Sequence, residues 1–212
     1  MNYFQATRGR ALEWTVPPEN FSSVVAIYGG HFLDMLFAAT GWPHTIAALT
    51  PNQFPVVPIR ETGVATPTST PAQLVLMGML NETAVVSVHV EGGKRNGSGV
   101  QIDITGTEGD LRIVNASAFG DVGDDYEIFG AHGDKAPLER LPVPQPYLRL
   151  PESARPSAVL ELAELYWAYA HDVEHGTQTT PTFADTVRMH RLIDGAHASF
   201  DSHEFVRLNA AS

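Results

Sequence analysis

Val86-Ser87-Val88-His89-Val90 and Gln101-Ile102-Asp103-Ile104-Thr105 alternate apolar and polar residues at every step. A period of two places all the apolar side chains on one face of an extended chain, so each stretch reads as a strand with one face buried and the other turned to water or a partner. Between them, Gly92-Gly93-Lys94-Arg95-Asn96-Gly97 reads as a hairpin turn, and Gly106-Thr107-Glu108-Gly109 follows as a second one. Strands joined this closely run antiparallel, because parallel neighbours need a long crossover. Working outward, residues 45–49, 54–60, 73–80, 84–91, 100–105 and 111–115 all read as strands, with Asn81-Glu82-Thr83 as a tight connection and a short strand expected at 3–7.

Helices flank this strand-rich centre. Phe32-Leu33-Asp34-Met35-Leu36-Phe37-Ala38-Ala39 has helical spacing and stops at Gly41 and Pro43. Two more helices close the chain, the first capped by Ser157 and the second by Thr182. Residues 121–156 are rich in Gly, Pro and Asp and are expected to form a long, mostly irregular excursion. The last dozen residues are expected to be a strand or a frayed tail. The expected class is therefore α+β, a large, open, mostly antiparallel sheet with helices on one face, in a single domain over residues 1–212. An acidic chain is not expected to leave a broad apolar sheet face bare, so the open face is expected to pack against another subunit of a homo-oligomer.

Composition narrows the function classes. With 43% hydrophobic and 17% charged residues in a chain of 212, the sequence has a globular balance and enough length for a sizeable core. A formal net charge of −11 with scattered basic residues argues against nucleic-acid binding. The sequence has no cysteine, which removes disulfides, thiolate nucleophiles and sulfur-ligated zinc and fits a reducing compartment. No secretory signal and no apolar run long enough for a bilayer is expected, which makes the expected location cytoplasmic with no membrane partner.

Gly29-Gly30-His31-Phe32-Leu33-Asp34 is the most informative motif. Two glycines let backbone approach a ligand or a neighbouring element. His31 then falls in the first turn of a helix, where the dipole favours a neutral imidazole, and Asp34 one turn on is placed to orient it. A glycine-rich helix entry with a packed histidine is the plainer reading of the same residues. His171 and His175 stand at i and i+4, a spacing that holds metals, but they lie at a helix C-terminus where imidazoles are favourable for dipole reasons alone, and no metal site is expected. Both glycine-rich turns join strand to strand instead of strand to helix, so neither is a phosphate cradle. No Gly-x-Ser-x-Gly elbow and no dinucleotide glycine fingerprint occurs.

Five stretches in order resemble the C-terminal domain of the glucose–fructose oxidoreductase, inositol dehydrogenase and rhizopine-catabolism (Gfo/Idh/MocA) family. They are residues 29–34; Leu76-Met77-Gly78-Met79-Leu80; Glu91-Gly92-Gly93-Lys94; residues 102–111; and Pro181-Thr182-Phe183-Ala184-Asp185 with His190-Arg191-Leu192-Ile193-Asp194. Their wording is most similar to the subgroup containing the galactose-pathway repressor. The resemblance runs from about residue 5 to about residue 200. It implies a large antiparallel sheet used for oligomerisation, preceded in the family by a Rossmann domain that binds NAD or NADP. That domain is not expected here, since Met1 falls near the start of the sheet domain, so this chain alone is expected to bind no cofactor. Family enzymes act on a sugar or polyol carbon with a lysine, an aspartate and a histidine. His31 matches the histidine, the candidate base. Asp34 matches a residue of more structural role. Ile27 stands at the aspartate's position, and neither Lys94 nor Lys135 matches the lysine.

The resemblance makes the chain the substrate-side and oligomerisation domain of an oxidoreductase-like protein, not competent for hydride transfer alone, with Tyr28, Lys94 and Arg95 lining a sugar or polyol pocket beside His31. Whether it is an enzyme at all stays open at this point. A stand-alone, non-catalytic regulatory or binding module is the first alternative, favoured by the absent aspartate and lysine. A cofactor-free lyase or isomerase using His31 with Asp124 or Asp125 is the second.

Overall fold

The computed structural model describes residues 6–92, 96, 99–116, 126–150 and 157–208. In chain order these form 3-10 turns at Arg10–Thr15 and Pro18–Asn20, a π turn at Val25–Gly29, α1 (Gly30–Thr40), β1 (Thr45–Leu49), β2 (Val56–Pro58), β3 (Ala65–Pro67), β4 (Gln73–Met79) and β5 (Val85–Glu91). Then follow β6 (Val100–Thr105), β7 (Gly109–Asn115), β8 (Glu127–His132), β9 (Glu139–Leu141), a 3-10 turn at Gln145–Tyr147, α2 (Ser157–His175), α3 (Phe183–Ser202) and β10 (Val206–Arg207). The strand pairs are antiparallel, and the α+β class holds. Among the described residues the strands fall into a four-stranded sheet β10-β1-β4-β5, a ribbon β2-β3, and a second four-stranded sheet β6-β7-β8-β9. The chain divides into two compact units, Met1–Arg95 with Thr182–Ser212, and Asn96–Pro181.

The first unit holds the main core. Alternation along β4 sends Leu74 and Leu76 inward, and β1 and β5 add Ile46, Ala48 and Val90 to the same layer. Leu33 and Phe37 of α1 and Met189, Leu192, Ile193 and Ala196 of α3 close over them. The α3 residues recur at i, i+3, i+4 and i+7, which is one stripe of a helix. Burying such side chains contributes about 1.5–3 kcal/mol each, so this layer sets the stability of the unit. A polar clasp adds direction: the Ser199 hydroxyl accepts from the Ala48 N–H at 3.0 Å and donates to the Glu204 carbonyl at 2.6 Å. Thr182 caps α3 as expected, in a capping box where Asp185 returns a 2.7 Å bond to the Thr182 N–H.

The second unit is a meander. Register places Ile102, Ile113, Ile128 and Leu141 in one cross-strand row, and Asp103, Arg112, Phe129 and Arg140 in the next, on the opposite face. The polar face is laced by Arg112–Asp103 at 2.5 Å and Arg140–Glu127 at 3.1 Å. The Arg112 and Gln101 hydrogen bonds hold the Asp103 carboxyl below its usual range.

Several expectations are corrected. Residues 126–150 of the expected irregular excursion carry two strands that were not expected, β8 and β9, while residues 121–125 and 151–156 lie outside the described residues. Ser157 is the first residue of α2 and does not precede it as a cap. Residues 6 and 7 form a bend, and Arg8 makes an isolated parallel bridge to Ile59, while the rest of the expected strand at 3–7 lies outside the described residues. Contrary to the expectation of no long apolar run, the helical stretch Pro18–Thr40 has 23 residues and contains an 18-residue window of mean hydropathy 1.3, enough by length and composition for a membrane. It is broken at Phe21, which adopts left-handed φ 52°, and its Val24, Val25, Leu33 and Phe37 sit in the core, which accounts for their apolarity.

Candidate functional site

Ser23 begins the helical run that carries the motif. Its hydroxyl accepts from the Ala26 N–H at 3.1 Å and its carbonyl from the Ile27 N–H at 3.0 Å. The chain then makes one wide turn, closed by the Gly29 N–H on the Val24 carbonyl at 2.8 Å, before α1 proper. Gly29 and Gly30 both have right-handed helical angles. The Gly30 N–H donates to the Ile27 carbonyl.

This corrects the reading of His31. The open amides of the run lie near Ser23, two helical turns upstream, so His31 is not in a free first turn and the dipole argument does not apply to it. His31 remains exposed on α1, while Tyr28 and Asp34 are half-buried. Tyr28 stacks on Phe32 at 6.4 Å between ring centroids, with the planes at 13°, and both rings pack against the core. Ile27 also packs against the core, where the resemblance places a carboxylate. Of the five site residues expected from the sequence, Tyr28, His31 and Asp34 thus share one helical run. Lys94 and Arg95 lie outside the described residues, as do Asp124 and Asp125. Lys135 sits exposed in the turn between β8 and β9.

The histidine pair at the end of α2 is not arranged as a metal site. The His171 and His175 rings stack face to face at 4.1 Å, and His175 Nδ1 lies 3.0 Å from the His171 carbonyl. Stacked rings point their nitrogens in parallel and do not converge on one ion. Among the described residues no group of three His, Cys, Asp or Glu could hold a metal.

Asp172, between those histidines, was not singled out from the sequence, yet its carboxylate accepts from three threonines. Gly176, at φ 67°, ends α2 in a left-handed turn, and the Thr177 N–H closes on the Asp172 carbonyl at 3.2 Å. The Asp172 carboxylate then accepts from the Thr177 hydroxyl at 2.7 Å and from the amides and hydroxyls of Thr179 and Thr180 at 2.7–2.9 Å. These donors, the Thr177 hydroxyl foremost, hold its carboxyl well below the usual carboxylate range. The signal in the sequence was the run Gly176-Thr177-Gln178-Thr179-Thr180, three threonines downstream of an acidic residue. The role is structural, because every donor belongs to the loop it ties down. A small cleft lined by Arg8, Asn52, Thr68 and Thr70 is likewise occupied with holding loops, with Asn52 Nδ2 on the Thr68 carbonyl at 2.7 Å.

The open face of the β10-β1-β4-β5 sheet is the other candidate surface. Opposite the core layer it presents the cross-strand rows Leu49–Val75–His89, Ala47–Met77–Ser87 and Thr45–Met79–Val85. Leu49, Met77 and Val85 are 53%, 52% and 71% exposed. His89 Nε2 lies 3.1 Å from Gln73 Oε1 on the neighbouring strand.

The fold recurs in solved proteins. The super-repressor mutant of Gal80p from Saccharomyces cerevisiae matches with a TM-score of 0.78 at 20% identity, over 97% of this chain and 55% of that one. The transcriptional regulator Gal80p from Kluyveromyces lactis matches with 0.74 at 22% identity, over 98% and 53%. Levoglucosan dehydrogenase in complex with NADH and L-sorbose matches with 0.73 at 16% identity, over 93% and 54%. The chain thus spans about half the length of the structures it matches. No curated protein sequence matches it. Residues 1–115 match the Gal80p C-terminal domain family, and the chain belongs to that family.

Proposed function

We propose that this chain is the substrate-side and self-association domain of an NAD(P)-dependent sugar or polyol oxidoreductase-like protein, and that it does not transfer hydride by itself. The observation that carries the reading is His31, exposed on α1 in a family-matched segment, with Ile27 instead of a carboxylate one turn before it. A histidine facing solvent from a rigid helix is positioned to accept or share the proton of a substrate hydroxyl. Hydride transfer also needs a cofactor held over the reacting carbon, and the residues described do not fit one. The turn at Gly106–Gly109 joins two antiparallel strands, and the amides of Gly29 and Gly30 are spent inside a helix, so neither presents the open N–H groups a pyrophosphate requires. NAD or NADP chemistry would have to come from another domain. The cysteine-free sequence supports a cytoplasmic setting.

A second reading is favoured by the same Ile27, and it is a non-catalytic regulatory or binding module in which His31 is a ligand contact. Saturation-transfer NMR of the chain against a panel of sugars and polyols separates them. The first reading expects contact with at least one ligand, lost in His31→Ala and partly kept in His31→Gln. A flat panel, with His31→Ala unchanged in every property, removes the substrate-side reading.

A further inference from the structure

The loop between α2 and α3 carries a feature that the substrate-side reading does not use. It reads Thr177-Gln178-Thr179-Thr180-Pro181-Thr182, with Thr180 directly before Pro181. A threonine followed by proline occurs four times in the sequence, at Thr50, Thr66, Thr70 and Thr180. The structure separates the four. Thr50 and Thr70 are buried, at 4% and 7% exposure. Thr66 lies in β3, paired with Val57 across the ribbon. Thr180 stands outside any helix or strand, in a loop whose Thr177, Gln178 and Thr179 are exposed. Thr180 itself is half-buried, its hydroxyl turned to Asp172. A loop of this kind fits the groove of a protein kinase, where a proline after the acceptor fills an apolar pocket without stranding an N–H. The bonds that hold the loop are also sensitive to its charge. The hydroxyls of Thr177, Thr179 and Thr180 all donate to the Asp172 carboxylate, that of Thr180 at 2.7 Å. An ionised carboxylate only accepts, so each of these bonds needs the hydroxyl proton. Phosphothreonine has lost that proton and carries a charge of about −1.5 to −2 at neutral pH. At Thr180 it sets anion against anion where a hydrogen bond stood.

We propose that Thr180 is a phosphorylation site for a proline-directed serine/threonine kinase, and that the phosphoryl group opens the Asp172 knot. The inference is independent of the substrate-side reading. In the transfer, Thr180 Oγ1 bonds to the γ-phosphorus of ATP while the bond from that phosphorus to the β,γ-bridging oxygen breaks. The hydroxyl proton passes to the catalytic aspartate of the kinase, and ADP leaves. Repulsion from Asp172 then frees residues 177–180 from the end of α2. The capping box of Thr182 and Asp185 shares no bond with Asp172, so α3 keeps its start. The coupling runs both ways. The knot opens before the kinase seats the loop, so a weaker knot is phosphorylated faster.

Incubation of the full chain with a mitogen-activated protein kinase and MgATP tests this, read by peptide mass spectrometry and amide hydrogen exchange. The expected result is a phosphoryl group on Thr180, absent in Thr180→Val, with exchange at the Thr179 and Thr180 amides accelerated about tenfold. Exchange within α3 is expected to stay unchanged in the phosphorylated chain and in Thr180→Val, which also shows that the variant folds. Asp172→Asn is expected to take up the group faster than the wild type. No phosphoryl group at Thr180, or one placed at Thr66 instead, overturns the site. A chain phosphorylated at Thr180 whose Thr179 and Thr180 amides exchange as before, or an Asp172→Asn variant phosphorylated no faster, overturns the opening of the knot.

Discussion

α2 and α3 differ by one residue in length, 19 against 20, yet they are held by different physics. α3 places Met189, Leu192, Ile193 and Ala196 on one stripe and buries all four. α2 has apolar side chains on every side. Among its described side chains Asp172 is the buried one, while Leu162, Leu165, Tyr166, Tyr169 and Val173 are exposed. Apolar content therefore does not predict burial; its angular distribution around the helix does. α3 is fixed by packing, α2 by a polar knot at its C-terminus and by the Leu150 N–H on the Glu164 carboxylate at 3.1 Å.

The contrast can be broken most forcefully in the core. Leu192→Ala is expected to destabilise by about 2–5 kcal/mol, because the layer against the sheet cannot collapse around the lost volume. Leu165→Ala on α2 is expected to stay within about 0.5 kcal/mol, as befits an exposed site. Urea denaturation of the two variants measures both, and equal losses would erase the distinction between the helices.

Asp172→Asn comes next. It removes the charge that holds the amides of Thr179 and Thr180, so hydrogen exchange at those amides is expected to accelerate while exchange within α3 is unchanged. The same contact has a pH signature. Since the folded carboxyl titrates below its unfolded value of about 3.9, its contribution is fully present above that pH and is lost progressively as pH falls below it. Protection of residues 177–180 is thus expected to be flat from pH 7 to about 5 and to fall only in stronger acid, a profile Asp172→Asn abolishes.

A smaller loss, about 1 kcal/mol, is expected for Thr182→Ala, which removes the cap of α3 without touching its buried stripe, and thermal melting reads it. The smallest belongs to the polar face of the second unit. Arg112→Ala is expected to cost less than about 1 kcal/mol, because the Arg112–Asp103 pair is about half exposed and screened, and high salt should shrink even that.

Many strands of both units were legible in the sequence because they alternate cleanly. Residues 45–49 and 100–105 form strands with the expected ends, and β4, β5 and β7 differ from expectation by one or two residues. β8 was hidden by its own composition. Gly130 interrupts Glu127-Ile128-Phe129, and a strand containing it looks like loop until the neighbours are known. A Cβ there would sit 2.7 Å from Leu141 Cδ1 and 3.2 Å from Leu111 Cδ2, so the glycine makes room for the two flanking strands. At the candidate site, the placement of His31 on a helix was readable, but neither its exposure nor the wide turn before it was. That turn depends on the pairing of Gly29 with the Val24 carbonyl, which no periodicity announces. Asp172 escaped notice because an acidic residue between two histidines draws the eye to metals, whereas its partners are threonines downstream.

The central claim is that this chain is a sheet domain that depends on another domain for any dinucleotide chemistry. Isothermal titration of NADH and NADPH into the purified chain tests it most directly. No saturable heat up to millimolar concentration, with the chain folded throughout, is the result the account predicts. A stoichiometric site with a micromolar Kd on this chain alone would contradict it.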